Sequence, residues 1–281
     1  MKKIKIVTDS TVDLSQEILD KYEIEVVPLS IFINGQSFQD GKDITPKEFI
    51  DLMSNSEELP KSSQPPTGLF VEKYDELAKL GYDVISIHMT SGMSGTVESA
   101  RTASNITEAN VVVVNSEFIS KALSFQVIEA AKMALKGHSM DEIVSRIQEV
   151  KSHTKLFVVV DTLENLIKGG RIGKGKAFIG SLLNIKPIAS LENGVYTPVA
   201  KVRSRQQAVK YLANIFHEHT SGKNIKGVGI THADSLDYAM KLKEAIEKLT
   251  GYQFVDIDFT TPVISTHTGK GAIGFSYYFE D

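Results

Sequence analysis

Short runs of β-branched residues alternate with segments of helical periodicity, and this alternation limits the possible folds more than any other feature. The runs at 4–7, 84–88, 111–114 and 156–160 read as strands, and helical patterns lie between them. Strands separated by helices favour parallel pairing with crossover connections, so the chain is predicted to adopt an α/β fold. Residues 54–68 are rich in Ser and Pro and are predicted to form a loop.

The character of the sequence changes after residue 160, which indicates a second domain. A Gly- and Lys-rich stretch at 168–180 precedes strand patterns around an Asn193–Gly194 turn and further helix and strand patterns. We expect two α/β domains, 1–158 with a mostly parallel sheet and 159–281 with a mixed sheet. No flexible linker separates them, so a ligand site is expected at their interface.

The composition excludes several classes of function. The 281 residues include 31 basic and 35 acidic side chains, whereas nucleic-acid-binding domains are usually strongly basic. The absence of Cys excludes disulfides, thiolate metal sites and a Cys nucleophile. The longest apolar runs are far shorter than the roughly 18 residues of a membrane span, and no signal-peptide pattern opens the sequence. A cytoplasmic protein without a nucleic-acid partner is expected.

Two glycine-rich segments have nucleotide-loop spacing without the required context. Gly269–Gly274 matches G-x-G-x-x-G, but a strand pattern follows it where a dinucleotide site needs a helix. Gly170–Ala177 ends in Ala where a P-loop needs a hydroxyl for magnesium, and it follows a helical stretch. The His residues show no metal-ligand spacing. Neither a cofactor nor a metal is therefore expected.

The segment Gly92–Thr96 follows a strand and precedes a helix, which makes Ser94 a candidate functional residue. A nucleophile elbow would need Gly at the position of Thr96. The segment instead suits an anion cradle built from small residues and helix N–H groups, or an ordinary helix N-cap. His267 is expected in a polar turn after a short strand, where it either donates to an anion or lies in solvent.

A series of short motifs continues along nearly the whole chain. They are Val7–Thr11, Ser62–Pro65, Ser94–Thr96, Lys168–Gly173, Gly180–Pro187, Lys201–Arg203 and Thr266–Gly269. In this order they resemble the DegV family, whose members bind fatty acids and serve as the lipid-carrying subunits of bacterial fatty acid kinase. The resemblance implies a lipid site at the interface of the two domains.

The resemblance also implies residue roles. Five residues would bind the fatty acid carboxylate: Ser62, Ser94, Gly95, His267 and Thr268. Two basic residues, Arg171 and Arg203, would lie near the head group. Lys270 stands where the family often has Pro and adds a charge beside this site.

Two further sets of residues have more than one interpretation. Candidates for lining the lipid tail are Ile31, Ile33, Phe70, Leu182, Leu183 and Ile185, although apolar residues more often form plain core. The basic run comprises Lys168, Arg171, Lys174 and Lys176. It suits a solvated loop, docking to a kinase subunit or to acyl phosphate, or transient contact with an anionic membrane surface.

The leading hypothesis is a non-catalytic carrier in phospholipid metabolism. It would bind a long-chain fatty acid and present it to a fatty acid kinase catalytic subunit for phosphorylation to acyl phosphate. An enzyme is the alternative, a serine-dependent acyl or phosphoryl hydrolase that uses Ser94 and His267. A regulator that senses a ligand without a kinase is the third possibility.

Overall fold

A four-stranded parallel sheet forms the centre of the N-terminal half. The structure, a computed structural model, describes residues 3–178 and 185–281. The strand order is β2-β1-β6-β7, with β1 at Lys3–Asp9, β2 at Glu25–Val27, β6 at Tyr82–His88 and β7 at Val111–Asn115. Each neighbouring pair is parallel, which confirms the predicted parallel sheet.

Helices cover both faces of this sheet, as buried parallel strands require. The helices are α1 at Gln16–Lys21, α2 at Pro46–Ser54, α3 at Thr67–Lys79, α4 at Thr96–Ser104, α5 at Ser120–Leu135 and α6 at Met140–Ser152. Val7 and Val84 pack with side chains of α3 and α4 on one face. Ile6 and Ile85, their neighbours in sequence, belong to the core on the other face, together with side chains of α5.

A small antiparallel sheet lies beside the first one. Its order is β4-β3-β5, with β3 at Ser30–Ile33, β4 at Gln36–Gln39 and β5 at Lys61–Ser63. An Asn34–Gly35 turn joins β3 to β4, and both residues have the positive φ angles, 50° and 73°, that a type I′ turn needs. The loop prediction was wrong for β5. Its polar residues show no alternation, and it is a strand because it pairs with the distant β3.

A six-stranded mixed sheet forms the C-terminal half, as predicted. The strands are β8 at Thr154–Val159, β9 at Lys186–Glu192, β10 at Val195–Val202, β11 at Asn224–His232, β12 at Asp256–Phe259 and β13 at Ile273–Glu280, in the order β10-β9-β8-β13-β11-β12. Only β11 and β12 pair in parallel among these described strands. The predicted boundary between residues 158 and 159 falls inside β8.

The helices of this half are α7 at Glu164–Lys168, α8 at Arg205–Thr220, α9 at Leu236–Thr250 and α10 at Pro262–Thr268. Side chains of α8 and α9 cover one face of the mixed sheet. Within the two described ranges, no helix has the length and apolar character needed to cross a membrane.

Helix α5 lies between the two large sheets and packs on both. Gly227 and Gly229 of β11 face it so closely that a Cβ on either glycine would lie 2.8 Å from the side chain of Phe125 or Lys121. On its other side α5 contacts β1. One hydrophobic core therefore extends across both halves.

Helix α10 replaces the polar turn that the sequence predicts around His267, and that prediction was wrong. Pro262 occupies the first helical turn, where its missing N–H costs nothing, and Gly269 with a φ of 76° ends the helix. The segment looks like a turn because Ser and Thr dominate it. Its helical conformation depends on partners from the N-terminal half.

Two buried carboxylates hold the start of α10. Asp13 accepts hydrogen bonds from the Thr261 N–H at 2.8 Å and from the Thr260 hydroxyl at 2.9 Å. Asp40 accepts one from the Val263 N–H at 3.1 Å. These bonds satisfy N–H groups that a helix start leaves unpaired. Burial raises the pKa of Asp13 to about 6 and that of Asp40 to about 7.

The raised pKa of Asp40 predicts a pH-dependent contribution to stability. An unfolded Asp has a pKa near 3.9, so between that value and about 7 the folded state binds more protons. The free energy of unfolding contributed by this group should therefore fall as pH rises. We expect the difference between wild type and Asp40→Asn to decrease by roughly 2 kcal/mol from about pH 5 to about pH 8.

Urea unfolding at several pH values would measure this difference. Taking the difference cancels the opposite trend of the buried His residues, whose pKa values burial lowers. Asp141→Asn at an exposed position is the control. A difference between wild type and Asp40→Asn that stays constant with pH would contradict the prediction.

Candidate functional site

A cavity of about 260 Å³ lies between the two large sheets, at the carboxyl ends of β1 and β6. Its apolar lining consists of Leu29, Met89, Met93, Ile119, Val158, Leu166, Leu191, Tyr196, Val263 and Ile264. Its polar lining consists of Thr11, Ser62, Ser63, Gln64, Ser94, Arg171, His267 and Thr268. Among the described residues, no acidic side chain lines the cavity.

The structure brings the predicted carboxylate-binding residues together. Ser62, Ser94, His267 and Thr268 line the cavity. Gly95, the N-cap residue of α4, follows Ser94 directly. The hydroxyl of Thr268 donates to the Ile264 carbonyl within α10, so it faces a ligand as an acceptor rather than a donor.

Ser62 and His267 form the closest polar pair at the cavity. Ser62 Oγ lies 2.7 Å from His267 Nε2, and this bond joins β5 to the last turn of α10. Burial, and next the positive charge of Arg171, lower the pKa of His267 to about 4. The imidazole is therefore neutral at neutral pH.

The surroundings of His267 select its tautomer. Nδ1 is buried without a hydrogen-bond partner among the described residues, and a Cβ on Gly169 would lie only 2.4 Å from it. A proton on Nδ1 would be an unsatisfied buried donor, which proteins strongly avoid. The proton therefore belongs on Nε2, from which it is donated to Ser62 Oγ. The Ser62 hydroxyl is then free to donate into the cavity.

Ser94 lies at the start of α4 with its hydroxyl 2.8 Å from that of Thr96. Its oxygen also accepts from the Thr96 N–H. Thr96 can act as the donor between the two hydroxyls, which leaves the Ser94 hydroxyl available to a ligand. The cradle interpretation of this segment thus has a geometric basis, because hydroxyl and helix N–H donors lie at one end of the cavity.

Gln64 is a cavity residue to which the sequence analysis assigned no role. Its side-chain amide donates to Ser99 Oγ at 2.7 Å in the first turn of α4. It packs so tightly on Gly95 that a Cβ there would lie 2.1 Å from Gln64 Oε1. Gln64 therefore fixes β5, which carries Ser62, against the helix start beside Ser94. The glycine of the Ser94–Thr96 motif was the signal for this close approach.

Arg171 supplies a positive charge that no acidic side chain of the described residues compensates. Its Nε donates to the Met93 carbonyl at 3.0 Å and its Nη1 donates to the Gly169 carbonyl at 2.7 Å. In the described parts of the chain it forms no ion pair. Backbone carbonyls thus hold the guanidinium at the cavity, and its charge remains available to an anion.

Arg203 does not join this group. Its side chain is exposed, it follows the end of β10, and it is not among the residues that line the cavity. Its backbone N–H donates to Gln207 Oε1 at the start of α8. The position of Arg203 near the head group, which the resemblance implies, therefore stays a prediction.

The predicted tail-lining residues lie elsewhere. Ile31, Ile33 and Phe70 are fully packed in the cores and do not contact the cavity. Ile185 lines a separate depression near α7. Leu182 and Leu183 lie outside the described residues. None of the four described residues therefore lines this cavity, and an apolar pattern does not distinguish a cavity lining from plain core.

The hydrolase alternative requires a Ser94–His267 contact that the structure does not contain. Ser94 bonds to Thr96, and the His267 Nε2 bonds to Ser62. No carboxylate among the described residues orients Nδ1. A histidine with a pKa of about 4 is also a weak general base at neutral pH.

The fold and the cavity define a two-domain α/β protein with a mostly apolar binding cavity between its sheets. The chain belongs to the DegV family. The sequence profile described as "Uncharacterised protein, DegV family" matches residues 3–280. The chain is 43% identical over 279 residues to the DegV domain-containing protein lmo1863 of Listeria monocytogenes, covering 99% of both. It is 44% identical over 274 residues to SA1258 of Staphylococcus aureus, covering 98% of both.

Solved structures of the family share this fold. DegV from Bacillus subtilis, described as a fatty acid binding protein, superposes with a TM-score of 0.90 at 33% identity and full coverage of both chains. A DegV family protein from Thermus thermophilus, described by its fatty acid binding, superposes with a TM-score of 0.92 at 29% identity and 99% coverage of both.

The contact between Gln64 and Gly95 predicts a large effect of a single methyl group. Gly95→Ala should displace the Gln64 amide or the start of α4, and we expect a loss of about 1–3 kcal/mol in the free energy of unfolding. Gly68→Ala, in the first turn of α3, is the matched control because nothing lies within 4 Å of its added Cβ. It should be neutral or stabilising by up to about 1 kcal/mol. Urea unfolding would measure the free energy of unfolding of both variants. Equal values for Gly95→Ala and Gly68→Ala would contradict the predicted effect of the contact.

Proposed function

We propose that this protein binds a long-chain fatty acid, with the carboxylate at Ser62, Ser94 and Arg171 and the tail in the apolar part of the cavity. The observation that carries the proposal is the division of the cavity lining. Hydroxyls, a neutral imidazole and a guanidinium without an ion pair among the described residues are combined with a mostly apolar wall. Both solved relatives named above are described as binding fatty acids.

The polar and apolar parts of the cavity lining match what the carboxylate and the tail of a fatty acid each need in order to be buried. A buried carboxylate needs several donors because its desolvation is costly. The Ser62 hydroxyl, the Ser94 hydroxyl and the charge of Arg171 meet this need. Burial of a tail of about sixteen carbons then contributes roughly 10 kcal/mol, at about 0.8 kcal/mol per methylene. A small chamber of about 20 Å³, lined partly by Val158 and Ile264 of the main cavity, extends the apolar space.

In this proposal the protein presents the bound acid to a fatty acid kinase catalytic subunit and performs no chemistry alone. A carboxylate oxygen attacks the γ-phosphorus of a nucleoside triphosphate held by the kinase. A new O–P bond forms, the bridging bond to the β-phosphate breaks, and the nucleoside diphosphate leaves with the electron pair. No proton needs to move, so a neutral His267 suits the step.

The proposal places the protein in the cytoplasm, in phospholipid metabolism. The exposed Lys174 and Lys176 continue from Arg171 as a basic surface. That surface suits transient contact with an anionic membrane while the lipid is exchanged.

The first test is mass spectrometry of lipids extracted from the denatured protein. About one fatty acid per chain is expected, with no bound cofactor. In a mixture of loaded protein, kinase catalytic subunit and labelled nucleoside triphosphate, label should enter acyl phosphate only when all three are present. Binding without phosphorylation would favour a ligand sensor, and turnover of model esters lost in Ser94→Ala would favour the hydrolase.

Removal of the Ser62 hydroxyl should weaken fatty acid binding. Because a hydrogen bond to a charged group contributes roughly 1.5–3 kcal/mol, we expect Ser62→Ala to raise the Kd for palmitate about tenfold or more. Ser62→Thr keeps the hydroxyl and should bind within a few fold of wild type. Titration calorimetry would measure all three proteins.

Ser91→Ala is the control for this prediction. Ser91 lies in the same loop as Ser94, is exposed, and bonds to Asn115 rather than lining the cavity. Its loss should leave the palmitate Kd unchanged. If Ser62→Ala bound as tightly as Ser91→Ala, the assignment of Ser62 to the head group would be wrong.

A further inference from the structure

An open groove of about 420 Å³ lies next to the cavity, on the outer side of the Ser62–His267 pair. The groove and the cavity share three lining residues, Ser62, Arg171 and His267. The remaining lining consists of Leu59, Pro60, Lys61, Asn165, Lys168, Gly169 and Thr266. A group attached to a head group bound at Ser62 would extend into this groove.

The groove has a strongly one-sided charge. Lys61, Lys168 and Arg171 line it, and no acidic side chain does so within the described ranges. Lys61 forms no ion pair with any residue that the structure describes. Lys168 pairs with Glu164 at 2.6 Å, but both side chains are about 60% exposed, so this pair is weak and readily exchanged.

Arg171 belongs to both compartments. Two of the five N–H donors of its guanidinium bond to backbone carbonyls, and within the described ranges the other donors remain for a ligand. A carboxylate in the cavity uses part of this positive charge. The positive charges of the two groove lysines exceed what one carboxylate needs. They match an anion with more negative charge and more acceptor oxygens.

We propose that this basic groove binds the phosphoryl group of the acyl phosphate, the anhydride-linked phosphate that extends from the acyl carbonyl. The inference rests on the proposed function and adds a second anion subsite to it. A terminal phosphoryl group carries about −1.5 to −2 charges near neutral pH and offers three acceptor oxygens. The acyl carbonyl stays at Ser62 while the phosphoryl oxygens receive donors from Lys61, Lys168 and Arg171.

The test compares two ligands with the same tail. Palmitate probes the cavity alone, and 2-oxoheptadecylphosphonate, a stable analogue of palmitoyl phosphate, probes the cavity and the groove. We expect Lys61→Gln and Lys168→Gln each to raise the phosphonate Kd about two- to fivefold, and the double variant about tenfold. Their palmitate Kd should stay within twofold of wild type. The phosphonate effect should shrink as salt is added.

Lys174→Gln is the matched control, because Lys174 belongs to the same basic run but does not line the groove. It should leave both Kd values unchanged. The double variant Lys61→Arg with Lys168→Arg keeps both positive charges and should bind the phosphonate about as tightly as wild type. An unchanged phosphonate Kd in the double Gln variant, or an equal effect of Lys174→Gln, would overturn the groove assignment. Failure of wild type to bind palmitate would instead overturn the proposed function.

Discussion

The buried carboxylate of Asp13 is the interaction on which the rest of the site depends. It accepts hydrogen bonds from Ser120 at 2.5 Å, Thr260 at 2.9 Å and Thr261 at 2.8 Å, so it joins the segment after β1 to the starts of α5 and α10. Asp13 itself has a φ of 46°, a left-handed conformation that few residue types tolerate. Together with Asp40, which accepts from the Val263 N–H, these bonds set the angle at which α10 brings His267 to β5.

The same arrangement links the stability of the fold to the geometry of the site. Burial raises the pKa values of Asp13 and Asp40, so each carboxylate is less stable in its charged form than it would be in water. Both carboxylates accept hydrogen bonds from backbone N–H groups at the start of one short helix, α10. At the far end of that helix, His267 meets Ser62. A shift at the buried end would therefore move the polar end of the cavity.

Whether an element of the fold could be predicted from the sequence depends on how far along the chain its stabilising partners lie. Helix α2 is indicated in the sequence by Thr45 and Pro46, because its capping box closes within four residues and Glu48 completes it. The alternating strands and helices, the parallel first sheet and the mixed second sheet were equally local signals. The strand β5 and the helix α10 were missed, since β3 and Asp13 hold them from distant parts of the chain.

The site residues also divide into those that sequence motifs indicated and those that they did not. Ser62, Ser94 and His267 were indicated by motifs, and the structure brings them to one cavity. Gln64 was not assigned a role, because its role is a packing contact with a glycine rather than a chemical pattern. Arg203 was expected beside the head group, yet its side chain lies in solvent. A motif shows which residues matter to a family, but the direction of a side chain depends on the strand that carries it.

The choice of donors at the head group also has a consequence for reactivity. A carboxylate clamped by a bidentate arginine would be strongly stabilised and would be a poor nucleophile. Here the Met93 and Gly169 carbonyls already occupy two donors of Arg171. In the proposed complex the guanidinium would lie beside the head group and contribute positive charge. Neutral donors from Ser62 and Ser94 would complete the solvation and leave one carboxylate oxygen able to form a new bond.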